Sequence, residues 1–159
     1  MKTEEIIGKL LLEKNLTLSV AESCTGGLVS STLTDVSGSS AYIKLNLVTY
    51  SNEAKIKILG VPDEIIKTYG AVSEQNAKAM AEQIRKLVQT DIGLGITGIA
   101  GPTGGTPTKP AGLVYIGISD GNTTEVHKIN EPPDFDRKAI KTNACQKALE
   151  YLKLFLEKK

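Results

Sequence analysis

The sequence predicts an α/β fold, a three-layer α/β/α sandwich around a mixed, mainly parallel sheet with a late antiparallel hairpin. Three observations carry that expectation. Helical and strand-like segments interleave through the first two thirds of the chain, the pattern that lays crossover helices over a sheet. Leu113–Ser119 and Thr123–Ile129 are β-prone runs joined across Asp120-Gly121-Asn122, a hairpin signal. Phe135 to Leu156 is one long helical pattern that can close a face.

Taken in order, residues 5–15 carry Ile6, Ile7, Leu10, Leu11 and Leu12, an amphipathic helix that stops near Asn15. Leu16-Thr17-Leu18-Ser19-Val20-Ala21 alternates like a strand, and Leu28, Val29, Leu33 and Val36 then recur at helical spacing. The stretch between them, Ala21-Glu22-Ser23-Cys24-Thr25-Gly26-Gly27, is therefore a strand-to-helix turn. Its glycine pair permits a tight bend, and the first amides of the following helix would face an anion. Ser23 there reads two ways. It or Thr25 caps the helix, the commoner role, or Ser23 is a nucleophile with an oxyanion hole within reach.

Residues 35–40 form a small polar loop before a second strand at 41–50. Ser51 or Asn52 caps a short helix that Gly60 ends, and Pro62-Asp63-Glu64 opens another. Ser73 starts the longest interior helix, with Ala77, Met80, Ala81, Ile84, Leu87 and Val88 as its inward stripe. Residues 92–96 make a short buried strand whose glycines admit a close neighbour. The Gly/Pro-rich run from Thr97 to Pro110 is long for a loop in a compact domain, which marks it as functional or disordered. Pro132-Pro133 marks the connection to the last helix, whose inner side carries Ile140, Ala144, Ala148, Tyr151, Leu152 and Phe155.

Residues 1–159 are expected to form a single domain, long enough to bury roughly two thirds of the unfolded surface. With 19 basic and 18 acidic residues the net charge is +1, which supplies no general field for nucleic acid or an anionic membrane. No signal-like segment or membrane-length apolar run is present, so a cytoplasmic protein is expected. Cys24 and Cys145 lack metal-ligand spacing and fit free thiols in a reducing compartment.

Gly93-Leu94-Gly95-Ile96-Thr97-Gly98 matches the dinucleotide fingerprint in letters, but its glycines occupy a strand rather than a strand-to-helix turn. Gly105 is followed by threonine, so the later loop is no Walker motif, although its amides suit an anion nest. The one histidine, His127, lacks a ligand set and reads as a surface strand residue; no metal and no cofactor are expected. With no second histidine, a serine enzyme needs another base. Lys55 serves if burial lowers its pKa, and is otherwise a solvated helix lysine. Tyr50, at the end of the second strand, is otherwise a core ring with its hydroxyl at the edge. Cys24 is a rival nucleophile at a helix N-terminus, or a small packing residue. Arg137 opens the last helix, where a cation is unfavourable unless it serves an anionic ligand.

Four motifs together, Ala21-Glu-Ser-Cys-Thr-Gly-Gly27, Thr49-Tyr-Ser-Asn-Glu-Ala-Lys55, Gly70-Ala-Val-Ser73 and Thr97-Gly-Ile-Ala-Gly-Pro102, resemble the CinA C-terminal domain family, the nicotinamide mononucleotide deamidases. Gly104-Gly105-Thr106, Lys109-Pro110, Gly112 and Asp136-Arg137 extend the resemblance over almost the whole chain. Ala111 stands where valine is frequent, a small volume change. The resemblance implies a stand-alone form, without the molybdopterin-biosynthesis-like N-terminal domain of the common arrangement. It implies hydrolysis of nicotinamide mononucleotide to nicotinic acid mononucleotide and ammonia, with Ser23 as nucleophile, Lys55 as base and Tyr50 orienting or relaying a proton. Arg137 becomes a substrate-binding residue by the same resemblance. Thr25, Gly26 and Gly27 are expected at the substrate with Gly98, Gly101, Gly104 and Gly105, through their amides. The expected partner is a small-molecule nucleotide, and a homodimer is left open. The alternative is a noncatalytic nucleotide-binding or regulatory module using the same loops.

Overall fold

A computed structural model describes residues 1–132 and 134–159; Pro133, half of the connection expected at Pro132-Pro133, lies outside the described residues. The elements are α1 (Thr3–Glu13), β1 (Leu18–Glu22), α2 (Leu28–Thr34), a 3-10 turn (Ser39–Ala41), β2 (Ile43–Val48), α3 (Asn52–Lys57), α4 (Asp63–Tyr69), α5 (Glu74–Leu87), β3 (Ile92–Gly98), β4 (Leu113–Ser119), β5 (Thr124–Asn130) and α6 (Arg137–Glu157). The sheet order is β2-β1-β3-β4-β5. β1 pairs in parallel with β2 and β3, whereas β4 pairs antiparallel with both β3 and β5. Four strands therefore run in one direction and β4 alone opposes them.

β1 is buried at every position, so the alternation expected for it does not describe its surroundings. The reason is that both faces are covered. Val20 packs with Ile7, Val29, Ala148 and Leu152 on the face of α1, α2 and α6, whereas the next residue, Ala21, packs with Leu59, Val61, Met80 and Ile84 on the other. A strand between two helical layers has no solvent face to mark with polar residues.

The glycines of β3 and β4 set how closely α5 lies on the sheet. A Cβ at Gly93 would fall 2.1 Å from the Ala81 carbonyl oxygen, one at Gly95 2.7 Å from the Ala81 nitrogen, and one at Gly117 2.4 Å from the Ala77 carbonyl oxygen. These contacts are backbone contacts that cannot yield, so Gly93 and Gly95 of the fingerprint-like run, with Gly117, are a helix-packing floor, whereas Gly98 lies against Leu113 and Val114 of β4. The inward stripe of α5 holds at Ala77, Met80, Ala81 and Ile84, but Leu87 and Val88 are exposed where the helix ends. His127 also departs from the surface position expected for it: its ring stacks on Tyr151 of α6 at 3.8 Å, leaving it half-buried. Tyr151 is correspondingly half-buried rather than fully internal.

Candidate active site

β1, β2 and β3 end at the same edge of the sheet, and each releases a loop that carries candidate residues. The carboxyl edge of parallel strands, where connections leave for opposite faces, is the usual crevice of such folds. Here β1 delivers Ser23, β2 delivers Tyr50 and Lys55, and β3 delivers Gly98 and the loop beyond it. A cleft of about 250 Å³ opens among them, lined by Ser23, Cys24, Tyr50, Gly98, Gly101, Gly104 and Arg137 with neighbouring loop atoms.

The turn after β1 is shaped by Glu22, a residue absent from the sequence-based candidates. Its fully buried carboxylate accepts from Thr25 Oγ1 at 2.6 Å, the Gly27 amide at 3.2 Å, the Val29 amide at 3.0 Å and the Ser30 amide at 2.8 Å, and also from Ser30 Oγ. Glu22 thus satisfies the first turn of α2, so neither Ser23 nor Thr25 caps it by a side chain. This takes Gly26 and Gly27 out of the amides expected at the substrate. The Gly27 amide faces Glu22, and the Gly26 amide donates to the Ser23 carbonyl at 3.0 Å. The Thr25 amide has no acceptor among the described residues, whereas the Cys24 amide is engaged with its own thiol. Gly26 and Gly27 have φ of 62° and 107°, so they shape the turn through left-handed backbone rather than by lining the cleft.

Lys55 and Tyr50 occupy environments opposite to their bland expectations. Lys55 is only 2% exposed, and its Nζ donates to the Thr49 carbonyl oxygen at 3.0 Å. The Thr49 amide in turn donates to the Glu22 carbonyl oxygen at 2.8 Å, which ties the lysine's acceptor to the residue before Ser23. Burial pushes the Lys55 pKa below the ordinary lysine value, with the nearby Cys24 acting weakly the other way. Ser51 supplies the cap of α3, accepting from the Ala54 amide at 3.0 Å. Tyr50 is 59% exposed, and its hydroxyl accepts from Arg137 Nη2 at 2.6 Å. Arg137 Nη1 donates to the Gly101 carbonyl oxygen at 2.7 Å, so one guanidinium joins the start of α6, the loop after β2 and the loop after β3.

Cys24 is almost fully buried in the main core, where burial foremost, then the Glu22 charge, pushes its thiol up to about 12. A thiol held protonated in that way is a poor nucleophile, although Ser23 at 8% exposed is as buried as Cys24 and both line the cleft. Both cysteines are free. Gly105 does not line the cleft: a Cβ there would strike the Ala111 nitrogen at 2.7 Å, so this glycine serves a close turn of the loop on itself. Lys109 latches that loop by donating from Nζ to the Tyr69 carbonyl oxygen at 2.6 Å. Thr97, also absent from the candidates, donates to the Ala71 carbonyl oxygen at 2.9 Å and ties the 70–73 loop to the end of β3.

The arrangement belongs to a class: an α/β sandwich with a polar cleft at the carboxyl edge of its parallel strands, lined by a serine hydroxyl and an arginine, with a buried lysine amine on the helix after β2 that does not itself line the cleft. The particular family follows from comparison with known proteins, since the family model of the CinA C-terminal domain matches residues 1–156, and this chain belongs to that family. A CinA-like protein of Syntrophus aciditrophicus is 50% identical over 153 residues, covering 96% of this chain and 36% of the relative. The chain spans just over a third of the length of the curated relatives it matches. Among solved structures, a Competence-Damaged Protein (CinA) superfamily protein of Klebsiella pneumoniae superposes with a TM-score of 0.92 at 30% identity, each chain fully covered. The competence/damage inducible protein CihA of Agrobacterium tumefaciens gives a TM-score of 0.89 at 37% identity, covering 98% of this chain and 95% of that one. Among the described residues no helix is long and apolar enough to cross a membrane.

Proposed function

We propose that this chain is a nicotinamide mononucleotide amidohydrolase that works through a serine nucleophile and a lysine base. The observation that carries the reading is the buried amine of Lys55, held by the loop that hydrogen-bonds to the residue preceding Ser23. An amine whose pKa is lowered by burial gives up its proton more readily than an exposed lysine, the direction that a general base requires. In the proposed reaction Lys55 takes the Ser23 Oγ proton as that oxygen attacks the carboxamide carbon. The Thr25 amide, free in the turn after β1, stabilises the tetrahedral oxyanion. The C–N bond then breaks, the proton on Lys55 passes to the leaving nitrogen, and ammonia departs. Water, deprotonated by Lys55, attacks the acyl-serine, releases the acid product and returns the proton to Ser23. Tyr50, fixed by Arg137, orients the ring and relays protons at the cleft mouth.

The test is purified protein with nicotinamide mononucleotide in the presence of a chelator, followed for ammonia and the acid nucleotide. Equimolar release of both is expected. Binding of the nucleotide without turnover would replace this reading by a noncatalytic nucleotide-binding or regulatory module.

A further inference from the structure

Lys141 lies one helical turn beyond Arg137 on α6, at the i, i+4 spacing that puts two side chains on one helix face. Arg137 lines the cleft, and Lys141 reaches the turn that carries Ser23: its Nζ stands 3.5 Å from the position a Cβ at Gly26 would take. Gly26 is in the left-handed region and has no side chain to fill the space between that amine and the turn. Lys141 is half-buried, and among the described residues its amine has no hydrogen-bond acceptor and no carboxylate partner. Lys147 on the same helix shows the ordinary alternative, pairing with the buried Glu131 at 2.8 Å. The Lys141 charge is felt in the turn, where it is one of the lesser influences favouring ionisation of Cys24 against burial.

Arg137 is poorly placed to hold an anion alone. Its two terminal nitrogens already donate to Gly101 and Tyr50, which fixes the fork but leaves only its remaining N–H groups for a ligand. A half-buried cation without an acceptor, standing beside the glycine turn that carries Ser23, lacks the anion that Arg137 one helical turn away would help to hold.

We propose that Lys141 is the second cationic arm of the substrate's anion seat, gripping a phosphate monoester together with Arg137 and giving preference for phosphorylated over dephosphorylated ligands. The identity of the ligand as a mononucleotide rests on the function proposed above; the phosphate preference rests on Lys141 itself.

The experiment is calorimetry on the full chain and on Lys141→Met and Lys141→Arg, with nicotinamide mononucleotide, nicotinamide riboside and ribose 5-phosphate, beside turnover of the mononucleotide. Thermal unfolding checks that each variant folds. Lys141→Met is expected to weaken both phosphorylated ligands about tenfold, with riboside affinity unchanged and Lys141→Arg recovering most of the loss. Unchanged affinity for both phosphates, or an equal loss for the riboside, overturns the assignment of Lys141. Ribose 5-phosphate bound in a Lys141-dependent way, with no binding or turnover of the mononucleotide, would keep the anion seat and sink the amidohydrolase reading. Hydrolysis of the mononucleotide with Lys141→Met binding it as tightly as wild type would sink the seat alone. No binding of any phosphorylated ligand by the wild type would sink both.

Discussion

At Lys55 a single burial lowers the pKa of the proposed base and imposes a stability cost together. Because its folded pKa lies below the unfolded value, the unfolded chain holds more protons between the two. Stability therefore rises with pH across that window, and the cost is fully present below the depressed value. Lys55→Met keeps most of the stem and removes the titrating amine, so urea unfolding at a series of pH values should show this slope abolished. Turnover should fall about a hundred- to ten-thousandfold, the range of a lost general base. The wild-type rate should rise with pH through the lowered Lys55 pKa, and the variant should lose that limb. Wild-type turnover and pH dependence in the variant would return Lys55 to a packing role. At Ser23 the proposal predicts that Ser23→Ala lowers ammonia release by about a thousandfold or more, as deletion of a nucleophile does. Cys24→Ala should retain most activity, since the thiol stays protonated until about 12. The reverse order would move the nucleophile to Cys24.

The elements divide into those whose signals are local and those set by what packs on them. The hairpin, α5 and α6 were legible because turn residues, caps and long apolar stripes announce themselves. Asp120 accepts from the Asn122 and Thr123 amides, and Asp136 caps α6 by accepting from the Ala139 amide. The inversion of Lys55 and Tyr50 was not legible, since depth below α3 depends on where the loop after β2 lies against the turn after β1. Glu22 was missed for a related reason: a carboxylate in an apolar run reads as a strand end, and only the fold shows the helix amides converging on it. Glu22→Gln should cost about 2 to 3 kcal/mol in urea unfolding, because an amide nitrogen must face donors that a carboxylate oxygen accepted. The glycine floor gives a prediction of its own. Gly93→Ala puts a methyl against the α5 backbone and should destabilise by about 3 kcal/mol, the upper end of overpacking. A loss within a few tenths of a kcal/mol would mean that α5 is free to lift from the sheet.

For the whole molecule, the carboxyl edge of the sheet gathers stretches that are far apart in sequence, and Arg137 bridges two of the resulting loops from the start of the last helix. Motif spacing named these stretches, but nothing local could tell whether Arg137 meets a ligand, the protein or both. The structure places it against Tyr50 and Gly101, so its removal acts on the loops as well as on any anion. Arg137→Ala should weaken nicotinamide mononucleotide binding about ten- to hundredfold, the equivalent of one charge-assisted contact pair, with a smaller loss for the riboside. It should also raise amide hydrogen exchange across residues 98–104, since the Gly101 carbonyl loses its anchor. If exchange rises while both ligands weaken equally, Arg137 acts through the loops and Lys141 alone reads the phosphate. If only the mononucleotide weakens and exchange is unchanged, the contacts to Tyr50 and Gly101 yield to the ligand on binding, and the anion is what Arg137 serves.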